Sequence, residues 1–172
     1  MRAYLTDRDI RILRPHVKHG TWHWTAGSWT QTFDHYHFCI TYDAKTGKAG
    51  VVQTRSLWTP GAHVYKRNTG NIGISMCGMG RVKGKLHAIQ QAQVEACAKL
   101  TAELSTLFGL DIGLFHDHAH FAAIDGYGPG SGHPETRIDI GTYEPLVRKK
   151  AHWYQDQLAS GKQKPEYTLA LF

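Results

Sequence analysis

Hydrophobic and polar positions along the chain alternate in short segments that predict several strands and three helices. Between Thr6 and Leu13, apolar Ile10 and Leu13 stand three apart behind a threonine suited to an N-cap, which predicts a short helix. His19-Gly-Thr-Trp-His-Trp-Thr is aromatic and ends at Ala26-Gly27, so it reads as a strand. Tyr36-His-Phe-Cys-Ile-Thr-Tyr alternates and is rich in aromatic and β-branched residues, the pattern of a second strand. Asp43-Ala-Lys-Thr-Gly-Lys then turns the chain into Val51-Val52-Gln53-Thr54, giving a hairpin. After a loop from Trp58 to Gly70, Ile72-Gly-Ile-Ser-Met-Cys is an apolar strand.

The longest helical pattern runs from about Leu86 to Phe108. There Ile89, Cys97, Leu100, Leu104, Leu107 and Phe108 share a stripe, and Gly109 stands at the C-cap position. A strand near Leu114 follows, then a Gly-rich loop from Asp125 to His133 and a helix from Tyr143 to Leu158 ended by Gly161. The tail after Lys162 carries no clear pattern. Strands before and after a long helix give an α/β fold, expected as a central mixed sheet flanked by helices.

Length and composition narrow this further. The 172 residues suit one domain, with the core at about 19–158. At 41% hydrophobic and 20% charged, the chain has enough apolar residues for a core, which argues against wholesale disorder. No segment approaches the roughly 20 apolar residues of a membrane-spanning helix, so no membrane insertion is expected. The first 20 residues lack the apolar run of a signal peptide, so synthesis in the cytoplasm is expected. Three cysteines (Cys39, Cys77 and Cys97) without CxxC spacing argue against a disulfide framework or an all-cysteine zinc site.

Charge is uneven. The net charge is +6, and from Ala44 to Val94 there are eight Lys or Arg and no Asp or Glu. Such a stretch suits either an anionic polymer as partner or a solvated, solubilising face. Aromatic residues near Lys and Arg could stack on bases, but no nucleic-acid motif is present, so no nucleic-acid partner is expected.

For chemistry, HExxH, the P-loop, GxSxG and the deaminase pairing are all absent. Gly126-Tyr-Gly-Pro-Gly-Ser-Gly does not follow a strand and open a helix, so it reads as a loop at the edge of a site and not as a dinucleotide fingerprint. The twelve histidines are the stronger signal. His116, His118 and His120 recur at a spacing of two, which on an extended strand would put them on one face. Such a face could supply zinc ligands, or could simply be polar and solvated.

In combination, the motifs resemble the zinc-dependent N-acetylmuramoyl-L-alanine amidases, the fold of phage amidase endolysins and peptidoglycan recognition proteins. Trp22-His-Trp-Thr-Ala-Gly27 resembles the strand that brings that family's first zinc ligand, and Tyr36-His37-Phe38 its Tyr-His-Phe strand. His63, Asn68-Thr69-Gly70-Asn71 and Ile72-Gly73-Ile74 resemble its His…Asn…Ile-Gly-Ile segment. Asp117-His118-Ala119-His120, the glycine run and Glu135-Thr-Arg-Ile-Asp139 resemble the region of its second and third ligands in phage-type members. The likeness spans about residues 19–141, in the family's order.

That resemblance implies one Zn2+ per chain, held by His23, His118 and Asp139, with His116 and His120 as alternatives to His118. It implies catalytic roles for Tyr36 and for Arg137, which would stabilise a developing oxyanion, and substrate contacts for His63, Asn68 and His133. His37 is expected to face the opposite way and be structural. Two departures stand out: His120 occupies a position where related phage sequences often carry Glu, and Ser75 one where some amidases carry a catalytic Glu. The second shifts the acid–base role towards Tyr36. The implied activity is cleavage of the amide between N-acetylmuramic acid and L-alanine in peptidoglycan or muropeptides, by a monomer acting on the wall after release from the cytoplasm. A non-catalytic wall-binding module and a cytosolic recycling amidase are the alternatives.

Overall fold

The computed structural model describes residues 4–128 and 139–171. Its strands are β1 (His19–Trp24), β2 (Phe38–Asp43), β3 (Lys48–Gln53), β4 (Asn71–Met76), β5 (Arg81–Val82), β6 (Lys85–Leu86) and β7 (Phe115–Asp117). Its α-helices are α1 (Asp7–Leu13), α2 (Gln91–Phe108), α3 (His118–Asp125) and α4 (Glu144–Ala159). Five strands form one mixed sheet in the order β3-β2-β4-β1-β7, and β5 and β6 pair separately as a hairpin. The fold is thus the expected α/β domain with a central sheet and flanking helices.

β1 pairs parallel with β4 and β7, and β2 parallel with β4, so four strands end at the same edge of the sheet. Only β3 runs antiparallel, as the return arm of the β2 hairpin. Residues at that shared edge become neighbours however far apart they lie in sequence, as at the carboxyl edge of open parallel sheets generally.

The alternation along β1 separates core from site. Trp22 is fully buried, and its Nε1–H donates to Thr101 Oγ1 of α2 at 3.0 Å. Thr21 and His23 project from the other face. Ile40, Ile74, Met76, Phe115 and Leu100 fill the core with Trp22. Each such buried side chain contributes roughly 1.5–3 kcal/mol of hydrophobic stabilisation.

Local signals account for most boundaries. Thr6 caps α1 in a reciprocal box with Asp9, and Gly109 ends α2 in the left-handed conformation at φ 64°. α2, however, starts at Gln91 and not near Leu86, because Lys85–Leu86 pair with Arg81–Val82 instead. The Gln93 amide then ties the helix start to the sheet, donating to Ile40 O at 2.8 Å and Cys77 O at 2.7 Å. The unpatterned tail is also ordered: Glu103 accepts the backbone N–H groups of Glu166 and Tyr167, and Leu169 and Ala170 are buried.

Two expectations about strands are corrected. Tyr36 and His37 precede β2, which begins at Phe38. β7 ends at Asp117, whose carboxylate accepts the His120 N–H at 2.8 Å and caps α3, so His118 is the first residue of a helix. The three spaced histidines therefore do not share a strand face.

Candidate metal centre

Two strand ends and one chain segment converge at the shared edge of the sheet. β1 delivers His23, the junction of β7 and α3 delivers His118, and the residue after the undescribed stretch is Asp139. Ligand atoms of these three side chains lie within 4.8 Å of one another, and all three residues are buried. Asp139 is locked in place on both sides. Its Oδ2 accepts the Trp24 N–H at 2.7 Å, and its carbonyl accepts the first N–H of α3, from His118, at 2.5 Å.

Asp139 Oδ1 faces His23 Nδ1 at 3.2 Å and His118 Nδ1 at 3.1 Å. Burial acts to raise the Asp139 pKa. The positive charge that His23 and His118 can carry outweighs it and holds the carboxyl at about 2. The carboxylate is thus ionised across the physiological range.

His63 sets the tautomer of His23. Its Nε2 lies 3.2 Å from Asn71 O, an acceptor only, so Nε2 carries the proton. Burial, then the neighbouring imidazoles of His23 and His37, push its pKa well below the usual histidine value. The ring is therefore neutral, with a lone pair on Nδ1, which lies 3.1 Å from His23 Nε2. His23 Nε2 donates there, which directs Nδ1 of His23 at Asp139.

His23 Nδ1 and the ionised carboxylate oxygen, 3.2 Å apart, need a cation between them, either a proton on the imidazole or a metal ion. His118 adds its own Nδ1 and keeps a buried Nε2 with no partner among the described residues. Two imidazoles and one carboxylate are a donor set that suits zinc. The residues present fit a metal ion.

The remaining site residues take specific places around this cluster. Tyr36 is buried with its ring centroid 5.0 Å from that of His23. Asn68 Oδ1 accepts the backbone N–H groups of His63 at 3.0 Å and Val64 at 2.8 Å, shaping the loop that seats His63. Gly73 makes room for that seat, since a Cβ there would lie 2.9 Å from the His63 ring. His37 accepts the Gly73 N–H at Nδ1 and donates from Nε2 to Thr59 O, each at 3.0 Å, so both nitrogens are committed to the backbone. Of the spaced histidines, only His118 meets Asp139; His116 and His120 stack on each other at 3.7 Å. Arg137 and His133 lie outside the described residues.

Sequence reasoning missed the wall beside the cluster. Tyr127 is buried, with its ring 5.9 Å from that of His118 and 5.6 Å from that of Tyr65. Arg67 Nη2 donates to Asp125 Oδ1 at 2.9 Å, joining the same loop to the end of α3. The one signal for Tyr127 was an aromatic residue inside a glycine run. Nothing marked Arg67 and Asp125 as partners.

No curated protein matches the chain. Residues 13–137, however, match the family model Amidase_2, described as N-acetylmuramoyl-L-alanine amidase. That span contains His23, Tyr36, His63, Asn68 and His118, with Asp139 just beyond it. The match covers most of the sequence and takes in five of the residues that form or surround the cluster, and on it the chain belongs to the N-acetylmuramoyl-L-alanine amidase family.

Proposed function

We propose that this protein is a zinc-dependent peptidoglycan hydrolase that cleaves the amide between N-acetylmuramic acid and the L-alanine of the stem peptide. The observation that carries the reading is the buried trio His23, His118 and Asp139, whose donor atoms lie within 4.8 Å in a chain of the amidase family. Three protein donors are the usual complement of a catalytic zinc site. A zinc ion held there would acidify a water to a pKa of about 7 and polarise the scissile carbonyl.

The protein's own groups supply the rest. His63 holds His23 with Nδ1 towards the centre, and Trp24 N–H and the start of α3 hold Asp139. Tyr36, whose ring lies beside that of His23, would donate its phenolic hydrogen bond to the oxygen that gains negative charge as the carbonyl becomes tetrahedral. Ser75, the residue paired with His23 across β1 and β4, has no carboxylate to act as a base. Tyr36 is therefore the proton-handling group of this reading. Burial of the three side chains limits their contact with bulk solvent, which strengthens each of these interactions.

The likeness of the motifs to phage-type members supports a lytic role, with the protein made in the cytoplasm and acting on the wall after release. His23→Ala tests the reading: zinc retention and amide cleavage should both be lost. A variant that keeps full activity would overturn the assignment.

A further inference from the structure

β2 and β4 run parallel to β1, so the turn after β2 and the chain leaving β4 both emerge at the edge where β1 delivers His23. The first carries Lys45 and Lys48, and the second, as the β5–β6 hairpin, carries Arg81, Lys83 and Lys85. All five side chains are exposed. The two hairpins are seated on one short segment, residues 27–30. Trp29 stacks on His87 with centroids 4.1 Å apart, meets the Tyr42 ring at 5.3 Å, and accepts the Tyr42 N–H on its carbonyl at 2.9 Å. Gly80 N–H, at the foot of β5, donates to Gly27 O at 2.9 Å.

The charge on these hairpins is uncompensated. Among the described residues none of the five forms an ion pair, whereas Arg67, Lys99, Arg148 and Lys150 each pair with a carboxylate. Arg81 donates to Gly84 O at 3.2 Å, which keeps its charge. Asp43, the acid nearest in sequence, is engaged within its own turn by Lys45 N–H at 2.9 Å and Thr46 Oγ1 at 2.8 Å. The β5–β6 hairpin lies outside the main sheet and leaves Leu86 40% exposed. Holding like charges together there has no return in core packing.

We propose that the two basic hairpins form a docking surface for a phosphodiester-linked anionic polymer of the bacterial wall, beside the metal centre. The proposal rests on the wall-directed reading above. A repeating polyanion engages several separated cations at once, which a single carboxylate cannot do. The residues between the cations are small or aliphatic (Thr46, Gly47, Val82, Gly84), and Trp29, between the hairpins, is covered on one face by His87 and meets the Tyr42 ring edge-on. Among the described residues, no ring lies between the cations of either hairpin, which favours a polymer without bases over single-stranded nucleic acid.

The test uses the full-length zinc-loaded protein, with poly(glycerol phosphate) as probe and a single-stranded oligonucleotide of equal charge as competitor. Variants are K45Q/K48Q, R81Q/K83Q/K85Q and the five combined. With all five cations engaged, binding of poly(glycerol phosphate) should fall on the order of 100-fold between about 50 and about 200 mM salt, and each cation removed should lower the log–log salt slope by about 0.7. The combined variant should lose at least about 10-fold in affinity and in cleavage of intact wall, with melting temperature and turnover of soluble muropeptide unchanged. Wild-type affinity in the combined variant, no binding by the wild type, or tighter binding of the oligonucleotide would each overturn the proposal. Hairpin-dependent binding without any muropeptide cleavage would uphold the docking surface and defeat only the amidase reading.

Discussion

His63 Nδ1 accepts the Nε2–H of His23 across 3.1 Å, and that hydrogen bond leaves Nδ1 of His23 facing Asp139. Outer-shell partners of metal-binding histidines fix ring orientation and basicity, and losing one typically costs 10–100-fold in metal affinity or activity. His63→Ala should therefore weaken zinc binding by about 10–100-fold, measured by competition with a chromophoric chelator. His63→Gln, which keeps an acceptor, should recover part of the loss. Unchanged affinity in both would show that His63 does not orient His23.

Gly73 supports the same arrangement one step further out. A methyl group there would lie 2.9 Å from two atoms of the His63 ring. Gly73→Ala should destabilise the protein by about 1–3 kcal/mol through overpacking and weaken zinc binding in the direction of His63→Ala. Denaturant titration and chelator competition read the two effects separately.

Metal should stabilise the fold through these ligands. A ligand that binds only the native state adds about 2.7 kcal/mol at 100 times its dissociation constant. Zinc should raise the thermal midpoint of the wild type, and a chelator should reverse the rise. Asp139→Asn and His118→Ala should remove the response, whereas His116→Ala and His120→Ala should keep it. A normal response in His118→Ala would move the ligand to another histidine.

Acid should weaken the fold through His37. Burial lowers its pKa to about 4, against a contribution in the other direction from its bond to Thr59 O. The unfolded chain takes up a proton below about 6.5, and the native protein resists until about 4. Stability is thus complete above about pH 6.5 and falls as the pH drops towards 4, by up to about 3 kcal/mol from this residue. Buried His63 acts in the same direction. Urea titrations at about pH 7 and about pH 5 should show the decline, with a shallower decline in His37→Asn. An equal slope in that variant would remove His37 as a cause.

Much of this was legible in sequence where a local rule decides the outcome. Thr6 and Gly109 cap as expected, and the aromatic and β-branched runs at Trp22, Ile40 and Ile74 became the central strands. The misreadings share one cause, a local pattern overruled by pairing or capping. Spaced histidines suggested a strand face, but Asp117 is an N-cap residue and starts a helix, so His118 parts from His116 and His120. Leu86 fits a helical stripe, yet pairing with Arg81 takes it into a hairpin. Tyr36 continues an alternating run but lies before the strand that its pattern suggests. The approach of His63 to His23 and of Tyr127 to His118 depends on loop paths that no periodicity encodes.

The central claim is best tested by incubating the zinc-loaded protein with purified peptidoglycan and counting new alanine amino termini and new sugar reducing ends, with a metal-stripped sample alongside. The account predicts new alanine termini alone, lost on stripping and restored by zinc. New reducing ends, or no new ends of either kind with zinc bound, would contradict it.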